Sequence, residues 1–332
     1  MSKTLILLAA AIISLNCSRA VSNTQQEAPK VLTSTTPSPA ASSNNQRETS
    51  KLAAQVEKIA GEARGRVGAA VMLIETGEAI VSLNADQRFP MQSVYKLPIA
   101  LVVLRRVDRG ALALEQRVRV EQSDFISARQ HSPIRDKNPR GVEMSLRDLL
   151  RFAISESDGT ASDVLMRLAG GADVITRELR ELGVSGVMVV NTEKELGENQ
   201  SLQHQNWATP ESMLVLLRAL QEGRGLSVQS RILLLQLMAE STPGPRRLKG
   251  RLPPGTVVAH KTGTSGTEKG MTAATNDVGL ITLPDGRHLA IAVFVSDSPA
   301  DESVREGVIA RIARAAWDWS TQARWVPFTS QG

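Results

Sequence analysis

The chain has 332 residues, 42% of them hydrophobic and 22% charged, which suits one large or two small globular domains and excludes a wholly disordered protein. Aromatic residues supply only 3%, so a core must rest on Leu, Val, Ile and Ala. The net charge of +5 is spread among acids, with local clusters at Arg105-Arg106-Arg109 and Arg246-Arg247-Lys249-Arg251 but no aromatic interleaving, a pattern of solvated surface rather than of a nucleic-acid partner.

Residues 1–20 read as an export signal: Lys3 is followed by an apolar run from Leu5 to Leu15, too short to anchor across a bilayer. Two processing routes stay open. Cys17, the single cysteine, is a candidate for lipidation and outer-membrane anchoring, and cleavage after Ser18-Arg19-Ala20 is the other. Both place the mature protein in the periplasm, without a disulfide. Residues 21–50, rich in Ser, Thr, Asn, Gln, Pro and Ala, read as a flexible linker.

From Lys51 the pattern is globular. Leu52 to Ala63 predicts a helix, and Val67 to Ile74 with Ala79 to Leu83 predicts a hairpin. Strands then stop in this reading. Tyr95 to Val107 is apolar nearly all round and predicts a buried helix. Helices follow at Ser145 to Ser155, Thr160 to Leu168, Ala172 to Leu182, Pro210 to Gln221 and Ser227 to Ala239. Strands resume at Val257 to Thr262, Ala273 to Leu283 and His288 to Val295. A last helix from about Pro299 to Trp319 is expected to start with a capping box of Ser298 and Asp301. The fold class is therefore α/β (α+β). An antiparallel sheet built from both chain ends (51–92 and 240–323) is flanked by helices, with an all-helical lobe (93–239) inserted and a ligand cleft between the two.

Three short motifs can carry chemistry. Ser93-Val94-Tyr95-Lys96 opens the buried helix, and if Ser93 lies at the helix start Lys96 stands one turn on, on the same face. An amine there can help remove the hydroxyl proton, and helix-end N–H groups favour developing negative charge. Ser157-Asp158-Gly159 sits between two helices, where Ser157 can relay a proton or simply cap a helix. Lys261-Thr262-Gly263-Thr264 lies on a strand, a lysine and hydroxyls suited to a carboxylate, with Gly263 allowing close approach to the backbone. Each motif alone is common.

In this order the three resemble the serine β-lactamases and penicillin-binding proteins, over about Lys51 to Trp319. Glu193, in Asn191-Thr192-Glu193-Lys194-Glu195-Leu196-Gly197, looks like the first glutamate of the class A omega loop. The resemblance implies a β-lactam hydrolase, and hence antibiotic resistance, working as a monomer without cofactor or metal. It implies Ser93 as nucleophile, Lys96 and Glu193 as proton acceptors, Ser157 and Lys261 at the departing nitrogen, and Thr262 and Thr264 on the substrate carboxylate. The oxyanion hole would be the N–H groups of Ser93 and Thr264. Several positions depart from the usual class A pattern. Gly159 stands where an Asn contacts substrate, Asp163 where an Asn supports the omega loop, and Gly197 where an Asn helps hold the hydrolytic water. The usual arginine near Thr275-Asn276 is missing, and Arg247 is expected to supply that charge to substrate. Asp163 beside Glu193 is expected to form a carboxyl pair sharing a proton. The Thr264-Ser265-Gly266-Thr267 run with Asp163 resembles the branch that includes extended-spectrum enzymes.

Penicillin-binding proteins and β-lactam-sensing domains share the three motifs but trap acyl-enzyme, so turnover separates them from a hydrolase. A structural lipoprotein leaves the ordered motifs unexplained. The four histidines, His131, His204, His260 and His288, are isolated in sequence and lack zinc-ligand spacing, which argues against a metallo-enzyme.

Overall fold

A computed structural model describes residues 39–322. The signal, Cys17 and most of the expected linker lie outside the described residues. Helix α1 (Pro39–Gly61) begins inside the stretch read as linker, which holds the helix formers Ala40, Ala41, Gln46 and Glu48 after a proline at the helix start. Strands β1 (Arg66–Leu73) and β2 (Glu78–Leu83) form the expected hairpin, and β3 (Phe89–Pro90) leads into a 3-10 turn, Gln92–Tyr95. Helix α2 (Lys96–Asp108) follows, then β4 (Arg117–Val120), α3 (Pro133–Lys137), β5 (Val142–Ser145), α4 (Leu146–Ser155), α5 (Gly159–Ala169) and α6 (Ala172–Glu181). After β6 (Val187–Met188), α7 (Glu193–Glu198) and β7 (Trp207–Ala208) come α8 (Pro210–Glu222) and α9 (Val228–Ala239). The chain closes with β8 (Val258–Thr264), β9 (Thr267–Glu268), β10 (Met271–Thr282), β11 (His288–Ser298) and α10 (Glu302–Gln322).

The main sheet is antiparallel in the order β2-β1-β11-β10-β8, so strands from both chain ends pair directly and β9 adds to β10. Alternation along β1 sends Val67, Ala69 and Val71 to one face, where they meet Leu52, Val56 and Ile59 of α1 and Ile309 and Ile312 of α10. Ala70 on the other face joins Phe294, Val278 and the α2 side chains Leu97, Leu101 and Leu104 in a second core. Helix α2 is wrapped by other helices, as its all-round apolar sequence requires. Helix α8 packs on β1 and β11 rather than on the helices alone.

Two further expectations change. Strands do not stop after β2: β3, β6 and β7 make a small sheet and β4 pairs with β5. Elements two to four residues long carry too little alternation to be seen in sequence. The capping box of Ser298 and Asp301 is absent because Ser298 still belongs to β11. Its hydroxyl donates to the Ala63 carbonyl and accepts from Ala300 N–H, and the first turn of α10 bonds back to the Asp301 carbonyl.

Gly68 of β1 has no room for a side chain, since a Cβ there would lie 2.3 Å from the Phe89 ring. Phe89 stacks on Phe294 at 5.8 Å and fixes the strand that leads to the Gln92–Tyr95 turn. Gly68→Ala is expected to cost about 1–3 kcal/mol by overpacking, and the smaller Phe89→Leu should recover part of it. Urea unfolding checks this; an unchanged midpoint for Gly68→Ala would contradict the packing.

Candidate active site

The turn Gln92–Tyr95 holds Ser93 at the mouth of α2, with Gln92 in a left-handed conformation (φ 47°) that brings the chain sharply into the turn. Asn276 of β10 donates to the carbonyls of Pro90 (2.7 Å) and Met91 (3.1 Å), and Met91 N–H donates to Asn206. The loop that bears Ser93 is thus tied to the sheet and to the loop after α7. Gly263 of β8 lets the strand pass close beneath: a Cβ there would lie 2.2 Å from the Met91 carbonyl oxygen. The missing side chain of Gly263 is thus required by the protein's own backbone.

Lys96 and Lys261 are both buried, at 1% and 0% exposure. They converge on one residue: Lys96 Nζ donates to the Ser157 carbonyl at 2.7 Å and Lys261 Nζ to Ser157 Oγ at 2.8 Å. Ser157 adopts φ 60°, which turns its hydroxyl and carbonyl toward the two amines. Burial, followed by the charge of Lys96, pushes the Lys261 amine well below the usual lysine range. Asp158 caps α5 through Ala161 N–H and also accepts from Ile134 N–H, so it anchors the loop from beneath at 0% exposure.

Glu193 opens α7, whose start is fixed by a capping box of Thr192 and Glu195. Its Oε2 lies 3.5 Å from Lys96 Nζ and accepts from the Tyr95 hydroxyl at 2.8 Å. Asn206 closes the base of the loop, accepting from the N–H groups of Val190 and Asn191 and donating to the Asn191 carbonyl.

The departures from the family pattern have local causes. Gly159 is buried under Glu193, and a Cβ would come within 2.7 Å of Glu193 Cγ and 2.4 Å of Ile126 Cδ1, so it offers no side chain to a ligand. Gly197 leaves its space to Gln130, whose carboxamide oxygen lies 2.1 Å from where a Cβ would stand and whose Nε2 donates to the Glu193 carbonyl. The hydrogen bonds of Asp163 run to the backbone at Glu193, not to the Glu193 carboxyl. The Asp163 oxygens accept the backbone N–H groups of Glu193 (2.7 Å) and Lys194 (2.9 Å), while the Glu193 carboxylate turns toward Tyr95. Burial lifts Asp163 to about 7 against the pull of those two N–H donors, with the charge of Glu193 adding to the rise.

Arg247 is also repositioned relative to the sequence reading. It is 3% exposed and spends its donors on the protein: Glu306 Oε1, the Gly263 and Asn276 carbonyls, and Thr264 Oγ1 at 2.8 Å. It therefore reaches the cleft through Thr264. Glu306, which sequence reasoning missed, is buried on α10 and holds both Arg246 and Arg247. An acid close to the apolar stripe of a helix was the available signal. His260 pairs with Asp277 at 2.9 Å inside the sheet, and Asp277 also accepts Leu248 N–H, which secures the turn bearing Arg247. It has no direct part in the cleft.

Ser93, Ser157, Glu193, Thr262, Thr264 and Gln130 border one cleft of about 510 Å³. A serine at the head of a buried helix shares a roomy polar cleft with a second serine on which two buried amines meet and with a glutamate, a set that suits a hydrolase of the acyl-serine kind. Comparison with known proteins agrees. The model of the "Beta-lactamase enzyme family" matches residues 51–320. The chain is 37% identical to the β-lactamase VEB-1 of Pseudomonas aeruginosa over 82% of its own length and 91% of that protein's. It is 40% identical to the extended-spectrum β-lactamase PER-1 of the same organism, over 80% and 86%. The crystal structure of a β-lactamase from Chitinophaga pinensis superposes with a TM-score of 0.79 at 43% identity, covering 83% of this chain and 99% of that one. The chain belongs to the β-lactamase enzyme family, in its class A. It hydrolyses the β-lactam amide through a covalent serine acyl-enzyme, the reaction that confers resistance to these antibiotics.

Two predictions follow from the loop contacts. The folded Asp163 value lies above the usual 3.8, so its contribution to stability is complete below about pH 4 and is lost as pH rises through about 7. Asp163→Asn should flatten thermal stability between those limits, and an unchanged slope would contradict it. Gly197→Asn should displace Gln130 and lower turnover of a chromogenic cephalosporin, by up to about a hundredfold. Adding Gln130→Gly should restore most of that loss; a double variant as poor as the single one would sink the account.

Proposed function

We propose that the hydroxyl of Ser93 attacks the lactam carbonyl carbon, with Lys96 and Glu193 receiving its proton between them. The N–H groups of Ser93 and Thr264 stabilise the oxyanion, each worth about 3 kcal/mol to the transition state. The carbon–nitrogen bond then breaks as the proton taken from Ser93 is relayed from Lys96 through the Ser157 hydroxyl, oriented by Lys261, to the ring nitrogen, which leaves Lys96, Glu193 and Ser157 as they began. Glu193 takes a proton from water, which cleaves the ester and returns the hydrogen to Ser93. Thr262 and Thr264 hold the substrate carboxylate, with Arg247 acting through Thr264 and with Asp163 and Gly197 shaping the loop that carries Glu193. The observation that carries this reading is the convergence of Lys96 and Lys261 on Ser157, with Glu193 Oε2 3.5 Å from Lys96.

The substrate range proposed is an extended one that includes bulky cephalosporins. The open cleft and the likeness to PER-1 support it. The enzyme is proposed to act as a monomer in the periplasm, either free or held by a lipid on Cys17. The apolar run Leu5 to Leu15 supports export. Among the described residues no helix is long and apolar enough to cross a membrane.

Glu193→Gln should lower kcat for a penicillin by about 10²–10⁴ while acylation continues. Mass spectrometry of the quenched variant should show the protein heavier by one intact substrate. Full-rate turnover by Glu193→Gln would remove Glu193 from the mechanism.

A further inference from the structure

Tyr95 is the one tyrosine in the chain and is fully buried, yet its hydroxyl has no backbone partner. It lies two residues after Ser93 on the same 3-10 turn, so one turn presents a hydroxyl to the cleft and a phenol to the interior. The phenol ends on Oε2 of Glu193 at 2.8 Å. Lys96 Nζ approaches that same oxygen at 3.5 Å. Among the described residues no protein donor reaches Oε1, and the Glu193 side chain, 18% exposed, borders the cleft.

We infer that Tyr95 is a positioning residue for the general base: it pins Oε2 of Glu193 and leaves Oε1 as the oxygen that takes the proton from water. The inference rests on the reading of Glu193 as the base of deacylation. Two oxygens of one carboxylate are chemically equal until their surroundings divide them, and here both inner donors fall on Oε2. The Ser162 hydroxyl also lies beside the phenol, but it is neutral, whereas Glu193 Oε2 is the charged acceptor at 2.8 Å. Burial, and after it the charges of Glu193 and Asp163, push the phenol well above its usual range, which keeps it a donor throughout the working pH of the enzyme. The other charged groups facing Glu193 are Lys96 from α2, Lys261 from β8 and Asp163 from α5, and all three remain when the phenol oxygen is removed.

Tyr95→Phe keeps the ring and deletes the donor. A hydrogen bond donated to a carboxylate favours its charged form, and this substitution deletes that bond. The acid limb of kcat against pH should move up by about one unit, and the steady-state fraction of acyl-enzyme at pH 6 should rise about tenfold, because acylation, which Lys96 also serves, slows less than deacylation. In the Glu193→Gln background the same substitution should add no further loss of turnover, because the interaction it removes is with the base. A Tyr95→Phe enzyme with a lowered melting temperature but an unmoved acid limb would show a packing role only and overturn the inference. So would an equal loss in both backgrounds. These outcomes differ from failure of the underlying reading, which is seen in Glu193→Gln alone as undiminished turnover.

Discussion

Two buried lysines meet on one serine, and the rest of the site is arranged around that meeting. An ammonium group removed from water is costly unless it is paired and hydrogen-bonded. Lys96 has the Ser157 carbonyl and a glutamate at 3.5 Å; Lys261 has the Ser157 hydroxyl and the Thr262 carbonyl. Ser157 serves both only because its backbone takes a left-handed turn, and Asp158 beneath it holds that turn by capping α5 and accepting from α3. The sheet brings β8 to one side of Ser157 and the core helix α2 to the other. Without this pairing of strand and helix the two amines could not reach one hydroxyl-bearing residue.

The replacements that set this chain apart from the common family pattern are a set of fitted exchanges. Glycine at 159 makes room for the Glu193 stem, and glycine at 197 makes room for Gln130, which reaches from the α3 side to the Glu193 carbonyl. Asp163 takes the backbone N–H groups at the start of α7. Arg247 approaches from the turn before β8 and braces Thr264, itself braced by Glu306. At 197 and 247 a group from another part of the chain occupies the space or holds the charge, whereas Asp163 acts at its own position.

Much of this was legible in sequence. Apolar runs bounded by turn residues marked the five long strands, the longer apolar run marked α2, and the order of Ser93, Ser157 and Lys261 marked the cleft. What was hidden depends on three-dimensional approach. Sequence cannot tell that Arg247 is buried, because its neighbours Gly263, Thr264, Asn276 and Glu306 come from two strands and a distant helix. Gln130 and Tyr95 gave no signal either: a loop glutamine and a core aromatic are ordinary until the omega loop folds over them. The two-residue strands and the early start of α1 escaped for a simpler reason, since short or polar elements carry little periodicity.

The most direct measurement is a crystal structure of the enzyme acylated by a slowly released β-lactam. The account predicts an ester on Ser93 Oγ, its carbonyl oxygen about 3 Å from the backbone nitrogens of both Ser93 and Thr264, and Ser157 Oγ facing the opened ring nitrogen. An ester on another residue, or a carbonyl turned away from those two N–H groups, would contradict it.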